Sequence, residues 1–230
     1  MKAETPSNEP QRLAALREYR ILDTAPEQTY DDITTLAASL CHVPIALVSL
    51  VDESRQWFKS KVGLHQTETD RNEAFCAHAI LQPGPLVVSD ARKDGRFAEN
   101  EMVTQAPHIR FYAGFPLVSP EGFALGTLCA IDRKPHRLDA EQTRAMQALS
   151  RQVMALLELR RVSAHLADAL EHVKTLHGLL PVCAWCKRVR DDEGYWNQVE
   201  TYIQINSEAS VTSGICPECL KQERSRASSG

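Results

Sequence analysis

The sequence predicts an α/β protein of the α+β kind, with an antiparallel sheet flanked by helices, a long C-terminal helix and a short cysteine-rich segment. Residues 44–52 are apolar on both faces, as a central strand covered on two sides requires. Residues 109–117 and 123–131 are apolar and are joined by a turn containing Pro and Gly, which is typical of an antiparallel hairpin. Residues 139–180 contain one glycine and no proline, which favours one continuous helix of about 40 residues.

The remaining elements of the first domain follow from the hydrophobic pattern. Residues 12–22 carry apolar side chains near helical spacing, and residues 24–27 (Thr-Ala-Pro-Glu) begin a second helix. Residues 56–61 are predicted to be the hairpin partner of the central strand, and residues 86–88 form a further short strand. We therefore expect neighbouring strands to pair antiparallel.

The second half of the long helix carries an apolar seam with heptad spacing. Upstream of it, Leu149, Val153 and Leu156 lie out of phase, as expected if the first half of the helix packs on the α/β domain. The pattern predicts a coiled coil and a homodimer through the long helix, and a helix that folds back on its own domain is the alternative. The seam residues alternate in steps of three and four: Leu159, Val162, Leu166, Ala169, Val173, Leu176 and Leu180.

Composition argues against several classes of protein. The formal net charge is -4, which provides no positively charged surface for nucleic acid, so we expect no nucleic-acid partner. The longest apolar stretch is far shorter than the roughly 20 residues of a membrane-spanning helix. The N-terminus carries acids and prolines where a secretory signal has an apolar core. We therefore expect a cytoplasmic protein without a membrane partner, whose cysteines are reduced.

Three segments of the first domain occur in the order found in one family of sensory domains. They are residues 72–80 (Asn-Glu-Ala-Phe-Cys-Ala-His-Ala-Ile), 109–117 (Ile-Arg-Phe-Tyr-Ala-Gly-Phe-Pro-Leu) and 125–132 (Leu-Gly-Thr-Leu-Cys-Ala-Ile-Asp). With them, residues 11–160 resemble the GAF domain of bacterial sensor proteins. The resemblance implies an antiparallel sheet of about six strands, helices behind it that dimerise, and a small-molecule pocket in front. It names no ligand, because family members bind cyclic nucleotides, haem, bilins or nitrate.

The resemblance also implies which side chains border the pocket, namely Cys76, His78, Phe111, Tyr112 and Cys129. Cys76 and His78 would present a thiol and an imidazole to a ligand. For Cys76 and Cys129 the alternative is a role as small core residues, since free cysteine is among the most buried residue types. No residue is assigned a catalytic role, and we expect the chain not to be an enzyme. A reductase of free methionine sulfoxide with this fold uses a cysteine nucleophile, so a cysteine-based redox sensor or reductase is the alternative function.

Four cysteines near the C-terminus form the strongest chemical motif. Cys183 and Cys186 make one Cys-x-x-Cys pair, and Cys216 and Cys219 make a second pair further along the chain. Two such pairs have the spacing of a structural zinc site, because four thiolates complete a tetrahedron and leave no position open for water. Residues 181–222 contain few apolar groups, so we expect zinc to stabilise their fold. An iron–sulfur cluster or a thiol switch is compatible with the same spacing.

The C-terminal segment also resembles a cysteine-rich tail that ends bacterial GAF, PAS and receiver-domain sensors, and its order of elements resembles treble-clef zinc folds. We thus predict a GAF domain at 11–160, a coiled-coil signalling helix at 161–180 and a zinc-binding module at 181–222. We expect the GAF domain to bind an unidentified small molecule. Its occupancy would be relayed through the helix to the zinc module, which contacts an unknown signalling protein.

Overall fold

The computed structural model describes four stretches of the chain, residues 3–172, 180–191, 193–207 and 210–227. The chain divides into two compact units, Met1–Ala164 and His165–Gly230, with the boundary inside the longest helix. Within the described stretches, no helix combines the length and the apolar character that crossing a membrane requires.

The first unit confirms the predicted α+β fold with an antiparallel sheet and a long helix. Its six strands form one sheet in the order β3-β2-β1-β6-β5-β4, and every neighbouring pair is antiparallel. The elements are α1 (Glu9–Glu18), α2 (Gln28–Cys41), β1 (Ile45–Val51), β2 (Arg55–Val62), β3 (Glu68–Asp70), α3 (Phe75–Ala79), β4 (Leu86–Val88), a 3₁₀ turn (Ala91–Lys93), α4 (Glu101–Thr104), β5 (Phe111–Val118), β6 (Ala124–Asp132) and the beginning of α5 (Ala140–His172).

The sheet separates two apolar cores, because successive residues of a strand point to opposite faces. On β1, Ala46 and Val48 face the core that contains α1, α2 and α5. Ile45 and Leu47 face the second core, which contains α3 and the loops that follow it. All seven residues of β1 are buried, as the sequence predicts for a central strand covered on both sides.

The long helix packs on the sheet through its first half. Met146, Val153 and Leu157 are buried in the first core, and Leu149 and Leu156 pack against it. The prediction that this half of the helix belongs to the α/β domain is confirmed.

The predicted coiled-coil seam lies on the exposed part of α5 as far as Ala169, and Leu180 lies outside any helix. Leu159, Val162 and Leu166 are 65%, 57% and 59% exposed, and Leu170 is 64% exposed. Val173 and Leu176 lie outside the described residues. The exposed apolar stripe is present in the structure, and its pairing with a second helix stays a prediction.

A buried ion-pair cluster attaches α1 to the loop that follows β3. The Glu9 carboxylate accepts hydrogen bonds from Arg12 at 2.8 and 2.7 Å and from Arg71 at 2.5 Å. Burial raises the pKa of Glu9, but the two guanidinium groups outweigh it and hold the pKa at about 2. Arg71 also donates to the backbone carbonyl of Asp52 at 2.9 Å, which joins α1 to the β1–β2 turn.

The second unit is small and has little apolar core. It contains the antiparallel hairpin β7 (Val189–Arg190) and β8 (Trp196–Asn197), then α6 (Val199–Asn206) and α7 (Pro217–Ala227). Among its described residues Val189 is the one that is fully buried. A fold with so little buried apolar surface needs another source of stability.

Candidate functional site: a polar cavity and two cysteine pairs

A cavity of about 160 Å³ lies on the face of the sheet opposite α1, α2 and α5. Strands β1, β2 and β6 form one wall, and α3, α4 and the loop after α4 form the other. The side chains that line it are mostly apolar: Ile45, Leu47, Phe58, Leu64, Phe75, Cys76, Met102, Ala106, Pro107, Ile109, Tyr112 and Ile131, together with the polar residues Gln56, Gln66, Thr69, Glu73, Glu101 and Gln105.

Two buried polar atoms at this cavity have no hydrogen-bond partner within the described part of the chain. They are Oε1 of Gln56 and Oγ1 of Thr69. Gln56 and Thr69 stand directly opposite each other in the β2–β3 register, so their side chains share one face of the sheet. Leaving a buried polar group unsatisfied costs about 1–3 kcal/mol. A ligand that hydrogen-bonds to these atoms would remove that cost.

The charge at the cavity is negative. Glu73 and Glu101 line it, and the described lining residues include no lysine, arginine or histidine. Burial raises the pKa of Glu73, and the neighbouring carboxylates of Glu101 and Asp70 raise it further. The site therefore carries electrostatic repulsion that a positively charged group would relieve.

The sulfur of Cys76 lies at the cavity wall and accepts three hydroxyl hydrogen bonds. The donors are Tyr112 OH at 3.2 Å, Ser49 Oγ at 3.2 Å and Thr127 Oγ1 at 3.0 Å. Burial raises the pKa of Cys76, but hydrogen bonds from Cys129 and from the three hydroxyls lower it to about 7. Burial and the neighbouring Cys76 raise the pKa of Cys129. Of these two adjacent thiols, Cys76 is therefore the one that ionises more readily.

Tyr112 reaches Cys76 because Gly114 has no side chain. Tyr112 and Gly114 are two positions apart on β5 and therefore lie on one face of the sheet. A Cβ atom on Gly114 would lie 2.1 Å from the Tyr112 hydroxyl oxygen. Any side chain at this position would displace the hydroxyl from the thiol.

The structure brings together some of the predicted pocket residues and separates others. Cys76 and Tyr112 line the cavity, and Cys129 lies behind Cys76 in the same core. His78 is on α3 and does not line the cavity. Its ring packs edge-on against the ring of Phe97, with 4.8 Å between the ring centroids. Phe111 faces the helical core on the other side of the sheet, because it precedes Tyr112 on the same strand.

Several cavity residues carry no functional signal in the sequence. Gln56 and Thr69 come from two strands, Glu73 from a loop and Glu101 from helix α4, and each is an ordinary polar residue in its own segment. The alternation of β2 offered a partial signal, since Gln56 precedes the aromatic pair of a buried strand. Only the tertiary fold shows that these residues surround one space.

The four C-terminal cysteines form two separate pairs. The backbone N–H of Cys186 donates to Sγ of Cys183 at 3.5 Å, and that of Cys219 donates to Sγ of Cys216 at 3.5 Å. These hydrogen bonds hold the pKa of Cys183 and Cys216 below the ordinary value, so each pair is suited to bind a cation as thiolates. Over the described stretches, no three Cys, His, Asp or Glu side chains are grouped closely enough to hold a metal ion. The grouping of all four sulfurs around one metal ion stays a prediction.

A family comparison decides what the first unit is. The model for the GAF domain matches residues 25–157, which is more than half of the chain. The chain belongs to the GAF domain family. The resemblance drawn from residues 72–80, 109–117 and 125–132 is confirmed, whereas the resemblance of the C-terminal segment to zinc-knuckle tails stays a prediction.

Known GAF proteins extend this comparison. A cyclic di-GMP phosphodiesterase of Pseudomonas aeruginosa is 40% identical over 164 residues, which are 71% of this chain and 28% of that protein. The chain therefore spans less than a third of this relative's length. The blue-light-absorbing form of the Thermosynechococcus elongatus PixJ GAF domain has a TM-score of 0.50 and 15% identity, covering 74% of this chain and 99% of that one. Free methionine-R-sulfoxide reductase from Neisseria meningitidis has a TM-score of 0.50 and 17% identity, and the match covers 67% of this chain and 88% of that one.

These comparisons correct one expectation. GAF domains generally act as sensors in signal transduction, and membership of the family supports that part of the prediction. The expectation that the chain is not an enzyme is wrong, because a 40% identical relative is an enzyme, a phosphodiesterase. The expectation rested on the lack of a recognisable catalytic motif. A sensory domain without such a motif can still occur in the same protein as a catalytic activity.

The ionisation of Cys76 is open to a direct test. We expect methyl methanethiosulfonate, a small thiol reagent, to modify Cys76 faster than Cys129 or Cys41 at neutral pH. The thiolate of Cys76 forms as the pH rises through about 7, whereas burial raises the pKa of Cys41 to about 11. Peptide mass spectrometry of samples quenched over a range of pH measures each rate.

The variant Tyr112→Phe removes one hydroxyl donor, so the midpoint of Cys76 labelling should move to higher pH. Tyr195→Phe, which changes an exposed tyrosine in the second unit, is the matched control and should leave the midpoint in place. Equal labelling of Cys76 and Cys129 in the wild-type protein would show that the hydroxyl cluster does not favour the Cys76 thiolate.

Proposed function

We propose that this GAF domain binds a small molecule in the cavity described above and controls an enzymatic signalling activity according to whether the cavity is filled. The observation that carries the proposal is a mostly apolar cavity at which Oε1 of Gln56 and Oγ1 of Thr69 are buried without hydrogen-bond partners among the described residues. A cavity of about 160 Å³ suits a ligand of roughly six to eight non-hydrogen atoms, since one of about 150 Å³ holds benzene. Haem, bilins and cyclic nucleotides are larger.

The phosphodiesterase relative supports a link to an enzyme. Its name assigns it activity on cyclic di-GMP, and this chain corresponds to 28% of its length. We propose turnover of cyclic di-GMP as the activity that the GAF domain regulates here. In this proposal the domain senses a small molecule, and the cyclic dinucleotide is the substrate of the regulated activity rather than the ligand of the cavity.

Helix α5 is the proposed route of the signal. Its first half packs on the sheet, and its second half carries the exposed stripe of Leu159, Val162, Leu166 and Leu170. Leu159, Val162 and Leu166 continue to Ala169 in alternating steps of three and four, which is the spacing of a helix that pairs with another helix. We propose that two copies of the chain pair through it. Ligand binding would favour one arrangement of the paired helices, by at most its differential affinity for the two arrangements.

The cysteine-rich segment is proposed to hold one structural zinc ion and to contact a signalling protein. Both cysteine pairs have backbone N–H groups directed at sulfur, which is suited to thiolate ligands. The segment has little buried apolar surface, so a metal would supply much of its stability. Trp185, at 95% exposure, and Tyr195, at 68%, are the residues that we propose meet the partner protein.

A thiol-based activity is the second candidate function, and one observation favours it. Cys76 has its pKa lowered to about 7, lines the cavity and neighbours Cys129. A thiolate at a ligand cavity can act as a nucleophile or as an oxidant sensor. All seven cysteines are unpaired, in keeping with the cytoplasmic location that we propose.

Ligand binding at the cavity is tested with a variant whose larger side chain blocks the cavity. We expect native mass spectrometry to show a small molecule retained by the purified wild-type protein, or taken up from a low-molecular-weight cell extract. Met102→Trp should abolish this added mass, because the indole occupies the cavity that Met102 lines. Leu81→Trp introduces the same indole side chain at a partly exposed position that does not line the cavity, and it should retain the mass. Equal binding by Met102→Trp, or no added mass on the wild type, would contradict the proposal.

Pairing through α5 makes a separate prediction. Val162→Glu and Leu166→Glu each place a charge in the apolar stripe, so we expect the dimer dissociation constant to rise by at least about tenfold. Ala167→Glu adds the same group to an exposed position on the helix face away from the stripe and should leave the constant unchanged. Sedimentation equilibrium provides the measurement. A wild-type protein that is monomeric at micromolar concentration would show that α5 does not pair.

Metal analysis tests the four-cysteine site. Protein purified without added zinc should contain one zinc per chain, and a chelator should release it and unfold residues 181–222 without unfolding the GAF domain. Cys183→Ala should lose the metal, whereas Cys41→Ala, in the GAF core, should keep it. Zinc content by atomic absorption and a hydrogen-exchange profile give the two readouts. If the analysis finds iron and acid-labile sulfide, the site holds an iron–sulfur cluster instead of zinc. If the wild-type protein contains no metal, the proposed site is rejected.

A further inference from the structure

The polar groups at the cavity share a preference for a hydrogen-bond donor. Gln56 is 4% exposed, and its Oε1 atom lacks a partner in the described structure. Oγ1 of Thr69, directly across the β2–β3 pair, is also buried and also lacks a hydrogen-bond partner among the described residues. An amide oxygen accepts hydrogen bonds only, and a threonine oxygen also has acceptor capacity. A ligand that carries N–H donors matches the acceptor capacity of both atoms.

The charge of the cavity indicates whether the ligand that carries this donor is cationic or anionic. Glu73 and Glu101 contribute carboxylates, and no lysine, arginine or histidine is found among the described residues that line the space. Glu73 sits where burial and two neighbouring carboxylates already raise its pKa, so an anionic ligand would add repulsion. A cationic ligand would instead gain charge-assisted hydrogen bonds.

The remaining walls suit an apolar body attached to a cation. The rings of Phe58, Phe75 and Tyr112 line the cavity, and an ammonium group near an aromatic face gains further attraction. Ile109 and Ile131 close the lining with aliphatic surface. The volume of about 160 Å³ leaves room for a short carbon chain and one head group.

We propose that the cavity binds a small primary amine in its ammonium form, with a short apolar chain of about five carbons. The ammonium N–H groups would donate to Gln56 and Thr69 with Glu73 as counter-charge, and the chain would lie against Phe58, Phe75 and Ile109. This inference rests on the proposed function, because it specifies the ligand class of the same cavity.

Three compounds with the same branched alkyl group test the inference on the full chain. They are isoamylamine, isoamyl alcohol and isocaproate, which carry an ammonium, a hydroxyl and a carboxylate group at neutral pH. By isothermal titration calorimetry we expect isoamylamine to bind at least about tenfold more tightly than isoamyl alcohol. Isocaproate should show no binding.

Variants assign the selectivity to the named residues. Glu73→Gln and Thr69→Val are close in size to the native side chains, and each should reduce the preference for the amine over the alcohol by several-fold. Thr69 is on an edge strand and Glu73 is in a loop, so neither change disturbs the packed core. Glu99→Gln removes an exposed carboxylate that does not line the cavity, and it should keep the wild-type ratio. The ratio of two affinities is insensitive to a general loss of stability.

The outcomes separate the ligand class from the proposed function. If the alcohol or the carboxylate binds as tightly as the amine, the cavity is a binding site but the ammonium inference is overturned. If none of the three binds, the inference is overturned as well, and the Met102→Trp mass experiment decides independently whether the cavity takes any ligand. If Glu99→Gln lowers the ratio as much as Glu73→Gln does, the preference comes from general surface charge and not from this site.

Discussion

Burial of the central strand on both faces is the constraint on which the rest of the first unit depends. Every residue of β1 is buried, so neither face of the sheet can be left to solvent. One face is covered by α1, α2 and the first half of α5, and the other by α3, α4 and their loops. The cavity lies on the side that short helices and loops cover.

The polar groups at the cavity have different chemical roles. The sulfur of Cys76 accepts hydrogen bonds from three hydroxyl donors, and the absence of a side chain at Gly114 leaves room for the Tyr112 hydroxyl. Within the described residues, Gln56 and Thr69 each have a buried acceptor atom without a hydrogen-bond partner. Buried polar groups that are satisfied add rigidity and specificity, and unsatisfied ones cost stability unless something binds them. The residues around this one cavity thus include both a hydrogen-bonded thiol and two polar groups with unused acceptor atoms.

The long helix connects regions of different character. Up to about Leu157 its apolar residues are buried against the sheet, and from Leu159 onward they are exposed. An exposed stripe of four large aliphatic residues is costly for an isolated helix in water, which is the physical reason to expect a partner. The C-terminal cysteine pairs have the opposite deficit: they offer strong metal ligands in a segment whose described residues bury little apolar surface.

Local pattern was enough to determine five of the six strands of the first unit, the extent of α5 over its described part and the GAF family, because periodicity and turn residues act over short stretches of chain. The short strand β3 was not predicted. The apolar character of residues 44–52, for example, directly predicts a strand covered on two sides. Tertiary structure alone decided the cavity: Phe111 and Tyr112 are neighbours in sequence but face different cores. Gln56, Thr69, Glu73 and Glu101 meet only through strand pairing and loop placement. A site made by the approach of distant segments leaves no periodic mark in any one of them.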